Sequence, residues 1–128
     1  MTTTGDRRTG YDVTSVPPET VLAALRAAVP PSPTAGVVWW IYAGQGPGLP
    51  HLVAGLRGDR GALVWRENGS LHLPTDGAGS APADYFSLQG GHFPQPAGSD
   101  VPAELVLRAV QEFAETRVRP ECVAWKVS

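Results

Sequence analysis

Three histidines and one cysteine are the side chains with which this chain could bind a metal or attack a substrate. His51, His72 and His92 could be imagined as a metal triad, but none stands in an HxH, HxxxH or HExxH spacing. Cys122 is the only cysteine, which excludes an intrachain disulfide and a thiolate cluster. It lies in an apolar stretch, where cysteine is usually an inert small hydrophobe, so a Cys122–His92 nucleophile pair is a minor alternative. We therefore predict no metal, no cofactor and no catalytic residues.

A glycine-rich segment at residues 44–48 follows an apolar run, as a phosphate-binding loop would. A nucleotide-binding loop leads into a helix N-terminus whose amide groups bind phosphate. Here Leu49 and Pro50 lead into a second apolar run instead, and no Lys-Ser or Lys-Thr pair follows. The sequence predicts a plain connecting loop at this position.

The length and composition fit one globular domain, since the chain has 128 residues, 42% hydrophobic and 17% charged. Residues 1–14 are polar and without periodicity, and we predict a flexible N-terminal segment there, followed by a single domain over residues 15–128. The longest apolar run, residues 37–43, is far shorter than the roughly 20 residues that span a bilayer. The polar start also lacks the apolar core of a signal peptide. We expect a cytoplasmic protein without a membrane partner.

Two amphipathic helices are indicated. The first begins at Pro17 and Pro18, because proline suits the first helical turn, where its missing N–H would be unpaired. The second spans about residues 102–116 and carries one apolar stripe at helical spacing. The stripe consists of Leu105, Ala109, Val110 and Phe113.

The remaining periodicity is that of strands. Residues 37–42 are β-branched and aromatic throughout, which favours a central strand with Trp39 and Trp40 on opposite sides. Alternating runs flank a glycine-bearing turn at residues 57–61 and the dipeptide Asn68-Gly69, which is typical of a type I′ hairpin. Short strands are predicted at residues 85–88 and 123–127, the second with one buried face formed by Val123, Trp125 and Val127. The fold class is α+β, with an antiparallel, meander-rich sheet of about five or six strands and two helices packed on it.

The formal net charge of −2 is unevenly distributed, because residues 67–107 contain five acidic residues and no Lys or Arg. Such a segment attracts a basic partner and repels nucleic acid, which clustered Lys and Arg normally bind. Scattered exposed acids are more often simply solvated. We expect no direct nucleic-acid partner.

The second half of the chain carries a set of apolar and turn-forming residues in a recognisable order. The set comprises Gly61-Ala62-Leu63-Val64-Trp65, Phe93-Pro94, Val101-Pro102, Ala109, Phe113, Arg119-Pro120, Val123 and Trp125. In this order and spacing the chain resembles immunity protein family one of bacterial polymorphic toxin systems. Members commonly have a glycine just after the second helix, where this chain has Arg117. Arg117 either adopts a left-handed cap at about 1 kcal/mol or the helix ends by another geometry.

The resemblance implies an immunity protein that binds and blocks a cognate toxin, often of the deaminase type, and it transfers no catalytic residues. We expect it to occlude the active site, with acidic loops and an aromatic anchor facing the basic substrate channel of the toxin. The candidate toxin-binding residues are Glu67, Asp76, Asp84, Tyr85 and Trp40. A homodimer stays open, since sheet edges can pair. The alternatives are a regulatory or assembly module without a toxin partner and a small hydrolase that uses Cys122.

Overall fold

The computed structural model describes residues 8–28, 34–44, 46 and 48–128. Within these residues the sheet has eight strands, and two helices pack on it. In chain order the elements are β1 (Gly10–Asp12), α1 (Pro18–Ala27), β2 (Gly36–Tyr42), β3 (His51–Arg57), β4 (Arg60–Glu67), β5 (Ser70–Pro74), β6 (Tyr85–Phe86), β7 (Asp100–Pro102), α2 (Ala103–Thr116) and β8 (Trp125–Val127).

The predicted α+β class and the antiparallel meander are confirmed. The strand order is β1-β2-β3-β4-β5-β8, and the successive pairs from β2 to β5 are antiparallel. The strand number is higher than the predicted five or six because β1 pairs with β2, and β7 pairs with one end of β4. β1 and β6 run parallel to β2, so the sheet is mixed. Elements of only two or three residues are too short to have a detectable periodicity.

Two tight turns set the register of the meander. Asn68 and Gly69 have φ angles of 52° and 79°, both left-handed, as the predicted type I′ hairpin between β4 and β5 requires. Gly58, with a φ of 67°, turns β3 into β4. Because side chains alternate along each strand, these turns also decide which residues share a face of the sheet.

The helix-covered face of the sheet is the side on which α1 and α2 pack. Trp39, Leu52 and Leu63 point to this side and are completely buried. The Phe113 ring of α2 meets the Trp65 ring of β4 edge to face, with centroids 5.5 Å apart. The apolar stripes of both helices are buried at Val21, Leu22, Leu25, Ala109, Val110 and Phe113.

The loop-covered face is the opposite side, where residues 75–99 replace helices as the cover. Trp40 points to this side, so the prediction that Trp39 and Trp40 face opposite ways is confirmed. The Tyr85 ring lies flat on the strands above Gly36 and Gly55. A Cβ atom at either glycine would stand 2.4 or 2.5 Å from a ring carbon, so this packing requires glycine.

The beginning of the chain is tied to the sheet earlier than the sequence indicates. β1 pairs with β2 from Gly10 onward, and Val13 N–H donates to the Tyr42 carbonyl at 2.8 Å. The Asp12 carboxylate accepts hydrogen bonds from the N–H groups of Thr14 and Gly44, each at 2.9 Å. Residues 10–13 therefore have backbone partners in the sheet; residues 1–7 lie outside the described part.

The second helix ends on a left-handed residue. Arg117 has φ 62° and ψ 20°, and its N–H donates to the Phe113 carbonyl at 2.7 Å. Of the two geometries considered for this cap, the chain adopts the strained one without the glycine that would relieve it.

The C-terminal strand is shorter and less buried than predicted. Val123 is buried, but it precedes β8, and Val127 is 67% exposed. Trp125 is half-buried, and its indole N–H donates to the Pro120 carbonyl at 2.9 Å. The expected buried face at residues 123–127 is wrong at Val127, because β8 is the outer strand of the sheet order and no helix reaches that residue.

Candidate interaction surface

Two rows of cross-strand neighbours run side by side on the loop-covered face. In the inner row Trp40 of β2 lies beside Val53 of β3, which lies beside Val64 of β4. In the outer row, two residues further toward the strand ends, Tyr42 is followed by His51 and Arg66 in the same way. The inner row is apolar, whereas the outer row carries the polar groups.

A groove of about 370 Å³ lies between these rows and the covering loop. Its floor includes Trp40 and Val64, and the loop contributes a wall through residues 92–96. The Phe93 ring meets the Trp40 ring edge to face, with centroids 4.7 Å apart. The loop thus covers the inner row only partly, and the groove remains at its margin.

The groove is lined by basic and neutral groups. Arg8, His51, Arg66 and His92 line it, and no Asp or Glu does among the described residues. The Arg8 guanidinium lies 5.6 Å from the centre of the Trp40 ring, a cation–π distance. The Arg66 side chain is exposed and forms no ion pair with any residue that the structure describes. The groove therefore offers positive charge beside an aromatic floor.

His51 contributes hydrogen bonding to this groove rather than charge. Burial lowers the pKa of His51, and the neighbouring Arg66 and Arg8 act in the same direction. Its Nδ1 lies 3.3 Å from the Leu49 carbonyl oxygen, which only accepts, so Nδ1 carries the proton. At neutral pH the ring is uncharged, and Nε2 remains an acceptor.

The three acids predicted to contact a partner lie in different settings. Asp76 is exposed in the covering loop. The Asp84 carboxylate is 69% exposed and lies 3.0 Å from Nε2 of His92, whose ring lines the groove. Glu67 is half-buried, and its carboxylate accepts a hydrogen bond from the Trp65 indole at 2.8 Å, on the side of the sheet that faces α2. The structure brings Asp84 to the groove and directs Glu67 away from it.

The two predicted aromatic anchors also differ. Trp40 is 6% exposed and forms part of the groove floor. Tyr85 is 1% exposed, because its ring lies between the rest of the loop and the sheet, so it presents no surface to a partner. Burial raises the pKa of the Tyr85 hydroxyl, and the Arg57 guanidinium beside it acts in the opposite direction. Tyr85 joins the loop to the sheet.

The two other acids of residues 67–107 interact with groups of the fold itself. Asp100 is bridged by two arginines, with Arg60 Nε donating to its carboxylate at 2.9 Å and Arg57 approaching it at 3.5 Å. Glu104 stands in the first turn of α2, where a negative charge is favoured by the helix dipole. The local charge of −5 in the sequence is therefore partly neutralised in space.

The histidines and the cysteine do not assemble into a catalytic or metal-binding group. No cluster of three potential metal ligands occurs among the described residues. Burial raises the pKa of the Cys122 thiol to about 11, and a hydrogen bond to Glu112 acts in the same direction. A nucleophilic cysteine needs the opposite shift and a basic partner. The groups that influence Cys122 in the described part are Glu112 and Arg108, not a histidine.

The glycine-rich segment is a connecting loop, as predicted. Gly44, Gly46 and Gly48 have left-handed φ angles, and the segment enters β3 and not a helix N-terminus. Residues 45 and 47 lie outside the described part. Neither described helix is long and apolar enough to cross a membrane.

Comparison with known families decides the assignment. Residues 17–127 match the family model described as Immunity protein Imm1. The chain belongs to this family. No curated protein has a sequence that matches the chain. The Imm1 match begins just before α1 and ends at the last residue of β8, so it includes both helices and seven of the eight strands.

Membership in the Imm1 family makes the loop-covered face a candidate surface for binding a toxin. An immunity protein works through its toxin partner, so its functional site is expected to be a surface that binds protein. The groove has the aromatic floor and the arginine that are common at the centre of such surfaces. The sequence predictions included Trp40 but missed Arg66, His51 and Phe93. A register drawn through the two hairpin turns would have aligned Tyr42, His51 and Arg66.

Proposed function

We propose that this protein neutralises a cognate toxin by binding the toxin domain and occluding its active site, and that the toxin is a deaminase acting on nucleic acid. The observation that carries the proposal is the Imm1 match over residues 17–127. The deaminase class is proposed from the family resemblance described in the sequence analysis. Such a toxin meets its substrate inside the cell, so the protein acts in the cytoplasm.

Electrostatics supports the occlusion mechanism. A nucleic-acid enzyme needs a basic channel for its substrate, and an acidic surface of the inhibitor can occupy that channel. Asp76 and Asp84 are exposed on the covering loop and are the acids best able to reach a partner. Trp40 lies in the floor of the groove, whose wall includes His92, the partner of Asp84. Glu67 would contribute at the border of the hairpin between β4 and β5. Tyr85 would act indirectly, by holding the loop that carries Asp84.

The first test is co-expression with the toxin domain encoded by the adjacent upstream gene. The proposal predicts that the toxin domain alone stops growth, that co-expression restores growth, and that the two proteins co-purify as a stable complex. The purified toxin domain should deaminate cytosine or adenine in nucleic acid, and the complex should not. No toxicity and no complex would favour the regulatory or assembly module, and an active toxin of another chemistry would remove the deaminase part alone.

The acidic surface has its own test. The double substitution Asp76→Lys/Asp84→Lys should weaken inhibition at least tenfold, because the introduced lysines would repel the basic substrate channel of the toxin. The matched control is Glu115→Lys/Glu121→Lys, which makes the same charge change at exposed positions at the end of α2 and after it. Both variants should unfold at the same urea concentration as the parent within about 0.5 M, since exposed pairs contribute little. Equal inhibition by both variants would remove Asp76 and Asp84 from the interface.

A further inference from the structure

The groove on the loop-covered face has a chemical character opposite to that of the acidic loop beside it. Its lining includes two arginines and two histidines and no acidic residue among the described residues. Asp76 and Asp84, by contrast, stand on the outer surface of the loop. A surface with both signs at defined places fixes the orientation of a partner more strongly than a surface of one sign.

We propose that this groove binds a segment of the toxin that carries a carboxylate side chain next to an apolar or aromatic side chain. The carboxylate would pair with Arg66, and the apolar side chain would pack on Trp40 and Phe93. This inference rests on the proposed function, since it names the chemistry of the toxin surface that the immunity protein recognises.

Arg66 is the centre of the argument. Its guanidinium is exposed and without an ion-pair partner among the described residues, yet its strand is in the middle of the sheet, between β3 and β5. The strand fixes the backbone position of this cation, so binding a carboxylate must order the Arg66 side chain but not its backbone. An arginine also offers two parallel N–H donors to one carboxylate, which adds direction to the contact.

The floor of the groove selects the second part of the ligand. Trp40 and Phe93 meet edge to face. Trp40, Val53 and Val64 are at most 6% exposed, so the half-buried Phe93 ring provides most of the apolar surface that a ligand can cover. Apolar surface of this kind gains from contact with another apolar side chain, by roughly 25 cal/mol for each Å² removed from water. A volume of about 370 Å³ is at the small end of binding pockets and suits a few side chains of a protruding segment, not a whole helix.

His51 favours a polypeptide segment as the ligand of the groove. Its ring is uncharged at neutral pH because burial lowers its pKa, so the positive charge of the groove comes from the arginines. Its Nε2 is available as an acceptor, which suits a backbone N–H or a hydroxyl of the ligand. A phosphate offers only acceptors at physiological pH and would gain nothing from that atom. The groove therefore fits a polypeptide better than a nucleic-acid backbone.

The test measures the affinity of the full-length protein for the toxin domain encoded by the adjacent gene. Arg66→Glu should weaken the complex on the order of thirtyfold or more, because a carboxylate would then meet a carboxylate. Arg66→Lys should lose less, since the charge remains while the paired donors are lost. Phe93→Ala should weaken the complex about tenfold through the apolar part. The matched control is Arg26→Glu, an exposed arginine on α1, which should bind as the parent does.

Each outcome is decisive. Parent-like binding by both Arg66→Glu and Phe93→Ala would overturn the groove while leaving the immunity function standing. No complex with the parent protein would remove the proposed function and this inference together. A single-stranded oligonucleotide that binds the parent protein and loses binding in Arg66→Glu would also overturn the inference, because the groove would then accept phosphate. Each variant should unfold at the same urea concentration as the parent protein. A loss of binding then cannot be attributed to a loss of folding.

Discussion

The two faces of the sheet differ in what covers them. Helices cover one face with a continuous apolar contact in which Trp39, Leu63 and Phe113 are at most 1% exposed. The other face is covered by residues 75–99, which are attached to the sheet through β6, the Tyr85 ring and the bridge between Ala78 and Asp100 of β7. That cover leaves a groove with Trp40 on its floor.

This difference suggests a division of labour between the faces. A helix-covered sheet face stabilises the fold, since both surfaces are regular and bury their apolar side chains completely. A loop that covers a sheet has fewer backbone hydrogen bonds of its own than a helix has. It carries exposed side chains on a rigid support, however, as binding sites often require. We expect changes on the helix-covered face to alter stability, and changes at the groove to alter binding.

The largest effect on stability is expected for Trp39→Ala. The side chain is completely buried on the helix-covered face, and truncation of a core tryptophan costs about 3–5 kcal/mol through lost burial and a cavity. Urea unfolding monitored by circular dichroism measures the loss. If Trp39→Ala costs less than Trp40→Ala, the assignment of stability to the helix-covered face is wrong.

The second prediction concerns the attachment of the loop. Gly55→Ala places a Cβ atom 2.5 Å from a Tyr85 ring carbon, so the ring must move, and the expected cost is about 1–3 kcal/mol. The control is a double-mutant cycle with Tyr85→Leu, whose side chain has no ring over the glycine. Gly55→Ala should cost less in that background, whereas additive costs would contradict direct ring contact.

A smaller effect is expected at the end of α2, on the helix-covered face. Arg117→Gly should stabilise the protein by about 1 kcal/mol, because glycine adopts the left-handed φ of 62° without strain. Arg119→Gly removes the same charge at a residue without a positive φ and should give no gain. The difference between the two unfolding free energies isolates the cap. A loss of stability in Arg117→Gly would mean that the arginine side chain contributes more than the backbone strain costs.

The smallest effect on inhibition is expected at Cys122. With its pKa raised to about 11, roughly a thousandth of the thiol is ionised at pH 8, so iodoacetamide should react on the order of 100-fold more slowly than with free cysteine. Reactivity should rise as the pH approaches that value, since the thiolate is the reactive form. Cys122→Ser should inhibit the toxin as the parent does. Fast alkylation together with loss of function would revive the hydrolase alternative.

Much of the fold could be predicted from the sequence because its signals are local. Asn68-Gly69 predicts a hairpin, and the stripe ending at Phe113 predicts a helix with one buried face. β1 and β7 were missed, since their three residues depend on where β2 and β4 present free edges. Those partners are distant in the chain, and no local pattern encodes them.

The candidate site was less predictable for a related reason. Counting charge along the chain grouped Glu67 with Asp84, although Glu67 is directed to Trp65 and Asp84 to His92. The loop-rich segment around Tyr85 favours an exposed anchor, but two distant glycines make room for its ring on the sheet. Burial and ion pairing depend on tertiary contacts, and these decide which charges and rings can meet a partner.

Hydrogen–deuterium exchange of the free protein and of its complex with the toxin domain tests the division between the two faces most directly. The account predicts that toxin binding slows exchange in residues 84–96 and in the β4–β5 hairpin, where the groove and the acidic loop lie. Exchange in α1 and in the exposed side of α2 should stay unchanged. Protection confined to the two helices, with none at the loop, would contradict the account.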